Sequence, residues 1–186
     1  VALVHKSHPF HLAHDLAEGL CRFSKRRCRY RGAGGSTPAA IAIHRLTTSG
    51  SESYEGLRAD ALKGKPPSDK TGPAWLSMGP YTLHETQGFP VIGDLQELVD
   101  LMDQGLLPVG QLRELVGMQQ VDGDRAYQLW RRIDEVQRDR QQGGWKRCLE
   151  KLSVMGVVDG WGPLADGSIA SPFLDALSLT RTLSRD

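Results

Sequence analysis

With 186 residues the chain has room for one or two domains, and 39% hydrophobic with 24% charged residues excludes a fibrous, collagenous or disordered polymer. No signal peptide and no apolar run of membrane length occurs, and Cys21, Cys28 and Cys148 form no Cys-x-x-Cys pair, which points to a reducing cytoplasm. The formal net charge is only +1, yet residues 1–62 carry nine Lys/Arg against five Asp/Glu, and residues 81–160 carry nine against thirteen. A basic part followed by an acidic one fits a phosphate-binding unit joined to a unit that packs on something else, and fits ordinary surface scatter equally well.

Val1–Val4 is wholly apolar and reads as a strand. The chain opens inside it without an initiator Met, which predicts a C-terminal piece of a larger protein or a processed fragment. Ser7 is a plausible N-cap and Pro9 suits a first helical turn. Phe10, Ala13, Ala17, Leu20, Cys21 and Ser24 then recur at helical spacing, and Leu12, Leu16 and Phe23 widen the stripe enough to pack on a sheet. This helix closes on Lys25, Arg26, Arg27, Arg29 and Arg31; Gly32–Ser36 turns the chain, and Ala39–Thr47 reads as a second strand. The last carbonyls and the helix dipole account for one or two such cations, and less well for five. Lys25 and Arg29 are four apart and share a face, so nucleotide or nucleic-acid phosphate competes with a solvated cap as the reading.

Residues 48–80 are loop-rich, with linker-like Gly64–Ser68 and Thr71–Pro73. From Tyr81 onward the pattern turns helical. Asp94 with Glu97 suggests a capping box for a helix with Leu95, Leu98, Val99 and Met102 inward and Gly105 as its stop. Val109–Gly117 predicts a short helix, and Asp124 caps a longer one to about Gln142 with Ala126, Leu129, Trp130, Ile133 and Val136 inward. Gly143-Gly144 stops it, and Trp145, Cys148, Leu149, Leu152 and Met155 mark a last helix closed by Gly156. Four such helices can bury one small bundle core. Residues 157–186 allow one short helix around Phe173–Leu183.

His5, His8, His11 and His14 recur every three residues, but no carboxylate or cysteine completes a metal-ligand spacing, and surface or turn histidines are the simpler reading. A metal-dependent phosphohydrolase built on them is the weakest option. Ser49–Ser53 lacks the strained turn of a hydrolase nucleophile, and Gly32–Gly35 follows a helix rather than opening one, so both read as loop.

The order of these pieces resembles the large subunit of type III CRISPR effector complexes. In that family a strand ends in a His-rich turn and a Pro-hydrophobe pair, similar to Val4-His5-Lys6-Ser7-His8-Pro9-Phe10. A helix with an Ala-Glu pair then closes on a small residue plus Lys, as in Ala17-Glu18 and Ser24-Lys25. The next strand enters a Ser/Thr-rich loop, like His44–Gly50, and after an insertion come Pro80-Tyr81-Thr82-Leu83 and a helical segment like Leu107–Leu115. The resemblance spans about residues 1–155 and rests on joint order, since no single motif is specific.

The resemblance implies an α+β fold: a ferredoxin-like palm fragment (strand–helix–strand) followed by a small all-helical domain. The implied division is 1–62 as the C-terminal part of a polymerase/cyclase-like palm, 63–80 as linker or insertion, 81–156 as helical bundle and 157–186 as tail. It implies ATP as ligand, with Lys25 on the triphosphate and His5 as a second nucleotide-binding position. The family's palm makes cyclic oligoadenylate. Its Gly-Gly-Asp-Asp metal-binding turn lies upstream of the matched segment and does not occur here, so Mg²⁺ would be held by residues outside this chain and no catalytic residue is assigned. The family's usual Ala before the closing Lys is Ser24. The implied partners are other subunits of a ribonucleoprotein complex and, indirectly, guide and target RNA, with no membrane. The alternative is a non-enzymatic nucleic-acid-binding adaptor whose helical half docks on a protein.

Overall fold

The computed structural model describes residues 10–30, 37–45, 53–140 and 143–180. Within them the fold is α+β and mostly helical. In chain order the elements are α1 (Phe10–Tyr30), β1 (Ala40–Ile41), α2 (Tyr54–Asp60), β2 (Lys63–Gly64), β3 (Ala74–Trp75), β4 (Tyr81–Thr82) and α3 (Ile92–Asp103). There follow α4 (Val109–Val121), α5 (Gly123–Asp139), α6 (Gly143–Val154), β5 (Gly162–Pro163), β6 (Ile169–Ala170) and α7 (Phe173–Leu179). The Val1–Val4 strand lies outside the described residues.

Two small sheets stitch the helices together. β1 pairs antiparallel with β4, Ala40 opposite Thr82 and Ile41 opposite Tyr81. The second sheet has the order β2-β3-β6-β5, with β6 parallel to β3. Residues 157–180 therefore belong to the body of the fold: β6 lies beside β3, and Trp161, Phe173 and Leu177 are buried. The main core gathers Tyr81, Leu98, Leu112, Trp130, Trp145 and Phe173. Burying a large apolar side chain contributes roughly 1.5–3 kcal/mol, so these residues dominate what holds α3–α7 together.

Local differences from the sequence reading have physical causes. Of the expected strand Ala39–Thr47, the described residues 39–45 hold strand only at Ala40–Ile41, and Leu46 and Thr47 lie outside the described residues. The Ser49–Ser53 stretch was expected as loop throughout, yet Ser53 caps α2, its Oγ accepting the Gly56 N–H at 3.2 Å. The N-cap of α5 is Asp122, which accepts from Arg125 N–H at 3.1 Å, rather than Asp124, whose Oδ1 takes the Ser68 N–H at 2.8 Å. Asp94 caps nothing. It lies inside the first turn of α3, and with Glu97 faces Lys151 of α6, at 3.6 and 2.8 Å from the ammonium. Helix α5 ends at Asp139 with Arg140 as its C-cap, ahead of the expected stop at Gly143-Gly144; those glycines open α6, where a Cβ on Gly144 would come within 2.6 Å of Leu106. The stops at Gly105 and Gly156 are as expected, both with φ near +70° (70° and 71°).

One buried carboxylate ties α7 to the Met78–Tyr81 segment. Asp175 of α7 is 3% exposed and accepts the Met78 N–H at 2.9 Å and the Tyr81 hydroxyl at 2.6 Å. Burial pushes its carboxyl up to about 6, against the pull of these donors. The Pro80–Leu83 motif is thus anchored from both sides, by Asp175 and by the β1 ladder.

Candidate functional site

Helix α1 carries the basic run, and its packing decides which cations face out. Its apolar face meets α2 through Leu16, Phe23, Tyr54 and Leu62. Gly19 permits this approach, since a Cβ there would stand 2.9 Å from Tyr54 Cβ. The Phe23 and Tyr54 rings lie 5.2 Å apart. The Arg58 guanidinium is stacked between Phe23 and Trp75, 4.6 and 4.1 Å from the ring centroids. Burial, reinforced by Arg27, lowers Arg58 from its ordinary value.

Arg27 follows Phe23 inward. Its side chain is only 12% exposed, and Nη1 meets Asp166 Oδ2 at 3.1 Å. Burial raises the Asp166 carboxyl, but the hydroxyl and N–H of Ser168, then Arg27, outweigh it and hold the group below its ordinary value. Arg27 therefore ties α1 to the turn between β5 and β6 and belongs to the structural interior.

Lys25, Arg26 and Arg29 point to solvent. With Arg22, whose guanidinium meets Glu18 at 2.6 Å, they line an open depression of about 480 Å³. A second depression of about 500 Å³ runs between α1 and β1, floored by Ala17, Leu20, Cys21, Ala40 and Ile41. Lys25 lines both. Ser24 turns its hydroxyl back to the Leu20 carbonyl at 2.9 Å, satisfying itself within the helix.

No protein-family model and no curated protein matches the chain.

Among the sequence candidates, Lys25 is in place on an open surface, whereas His5, His8 and Arg31 lie outside the described residues. His11 and His14 are exposed on α1, and the nearest carboxylate contact of His14 is Asp15 at 3.5 Å. No three His, Cys, Asp or Glu side chains converge as a metal-ligand set among the described residues. No described helix is long and apolar enough to cross a membrane. The Leu107–Leu115 segment is structural in its apolar positions, since Leu107, Leu112 and Leu115 are buried in the core. The sequence reading missed Arg22, Arg58 and Asp166. For Arg22 a signal existed, because it precedes Lys25, Arg26 and Arg29 by three, four and seven residues, one helical face. Arg58 and Asp166 reach α1 only through tertiary contacts.

Proposed function

We propose that the chain is part of the large subunit of a type III CRISPR effector complex, active in antiviral defence in the cytoplasm. In this reading it comprises the closing part of a ferredoxin-like palm that binds ATP, and a helical unit that docks on neighbouring subunits and through them on guide and target RNA. The observation that carries the reading is the position of Lys25: exposed on α1, on the rim shared by a cation-lined depression and an apolar groove.

That pairing suits a nucleotide. The ammonium of Lys25 is a mobile point charge with three donors, able to follow phosphate oxygens, while the groove between α1 and β1 offers apolar surface. Among the described residues neither depression is lined by a carboxylate, so these residues fit the phosphates and not the metal. ATP with Mg²⁺, held by residues outside this chain, would supply the reactive phosphoryl group. Lys25 would bind and orient it and neutralise charge on its oxygens. His5 enters on the resemblance alone.

Lys25→Ala is expected to weaken ATP binding about ten- to a hundredfold, the loss of one charge-assisted contact of about 1.5–3 kcal/mol. Equilibrium titration with labelled ATP reads this directly. An affinity unchanged by the substitution would remove Lys25 from the site.

A further inference from the structure

We infer that the outer face of α1 is a docking surface for the sugar-phosphate backbone of a nucleic acid, separate in its requirements from the ATP reading. Arg22, Lys25, Arg26 and Arg29 fall on one face at intervals that place them on successive turns, and all four line the same depression. At about 1.5 Å per residue the row is roughly 10 Å long, and its four side chains can each reach a phosphate of one strand passing over it.

The local electrostatics favour an anion. Among the described residues no acidic side chain lines the depression; Glu18 pairs with Arg22, and Glu55 and Asp15 act on Arg22 from farther away. Among the described residues Lys25, Arg26 and Arg29 stand in no ion pair, whereas Arg27, the inward cation of the run, is neutralised by Asp166. The C-terminal dipole of α1 opposes an anion with about half a charge, confined to the last turn, and four full charges outweigh it.

Among the described side chains none that lines the depression is aromatic, and the lining is made of cations alone. The surface therefore reads phosphates and not sequence. Side-by-side arginines also favour phosphate over the scattered carboxylates of an acidic protein, through two-pronged guanidinium contacts.

The test is fluorescence anisotropy of the whole chain with short mixed-sequence single-stranded RNA and with DNA of the same sequence. Four contacts are expected to give a log affinity against log salt slope near −3, or about fiftyfold weakening between roughly 50 and 200 mM salt. In Arg26→Ala/Arg29→Ala that slope is expected to fall to about half, with the melting temperature unchanged because both side chains are exposed. RNA and DNA are expected to bind alike. A slope unaffected by the double substitution, or equal competition by polyglutamate, would overturn the inference. The two proposals separate cleanly: loss of ATP binding in Lys25→Ala with no nucleic-acid binding at low salt defeats only this one. Salt-sensitive nucleic-acid binding with ATP affinity unchanged in Lys25→Ala defeats only the other.

Discussion

The unfolding free energy of the wild-type chain, taken relative to Asp175→Asn, is expected to fall by about 3 kcal/mol as pH rises from about 3 to about 7. The cause is the seat of Asp175, fully enclosed between α7 and the Met78–Tyr81 segment. Burial raises its carboxyl from 3.8 to about 6 despite donors from Tyr81, Ser77, Met78 and Gly79. A group raised in the folded state holds its proton more tightly there than in the unfolded chain. Stability from this group is therefore greatest below 3.8, is lost progressively as pH rises through about 6, and is flat from about one unit above that. The Asn side chain cannot titrate and should erase the slope. Urea unfolding at a series of pH values measures it. A difference that is flat, or that grows with pH, would mean that Asp175 is not enclosed as described.

Gly123→Ala is expected to destabilise the fold by about 3 kcal/mol or more, at the top of the range for overpacking. A Cβ at Gly123 would lie 2.1 Å from the Pro66 carbonyl oxygen and 2.5 Å from that of Lys65. Both obstacles are backbone, so no rotamer change relieves them. The same junction carries the Ser68 N–H to Asp124 and the Lys65 N–H to the Gln119 carbonyl, so yielding would break hydrogen bonds as well. Gly117→Ala is the control, because nothing lies within 4 Å of a Cβ there and the interior of α4 gains from the change. If the two variants melt alike, the 63–68 segment does not rest on α5.

How far the sequence revealed this structure depended on element length. Helices α1 and α3–α6 were legible because each repeats its apolar positions over several turns, as Leu95, Leu98 and Met102 do in α3. The strands were not, because two residues carry no period: Ala74–Trp75 and Ile169–Ala170 pair across 94 intervening positions by tertiary contact alone. Helix α2 was hidden by its seven-residue length and by Gly56 near its start. The buried Asp175 looks in sequence like any acidic residue in a helix first turn, and only the fold brings Tyr81 to it.

The candidate site shows the same division. Lys25 and Arg29 were recognisable as a shared helical face, and both line the cationic depression. The five-cation run divides in a way that spacing alone did not resolve: Arg27 is drawn inward by Phe23 and Asp166, while Arg22 joins the outer row from before the run. The apolar groove beside Lys25 depends on β1 lying against α1, a placement fixed by the ladder to Tyr81 and Thr82.

Mapping amide chemical shifts during an ATP titration tests most directly whether Lys25 sits in a nucleotide site. The expected result is a set of shifts concentrated on Ala17–Arg29 of α1 and on 37–42, absent in Lys25→Ala. Shifts confined to α3–α6, or a pattern that persists in Lys25→Ala, would contradict it.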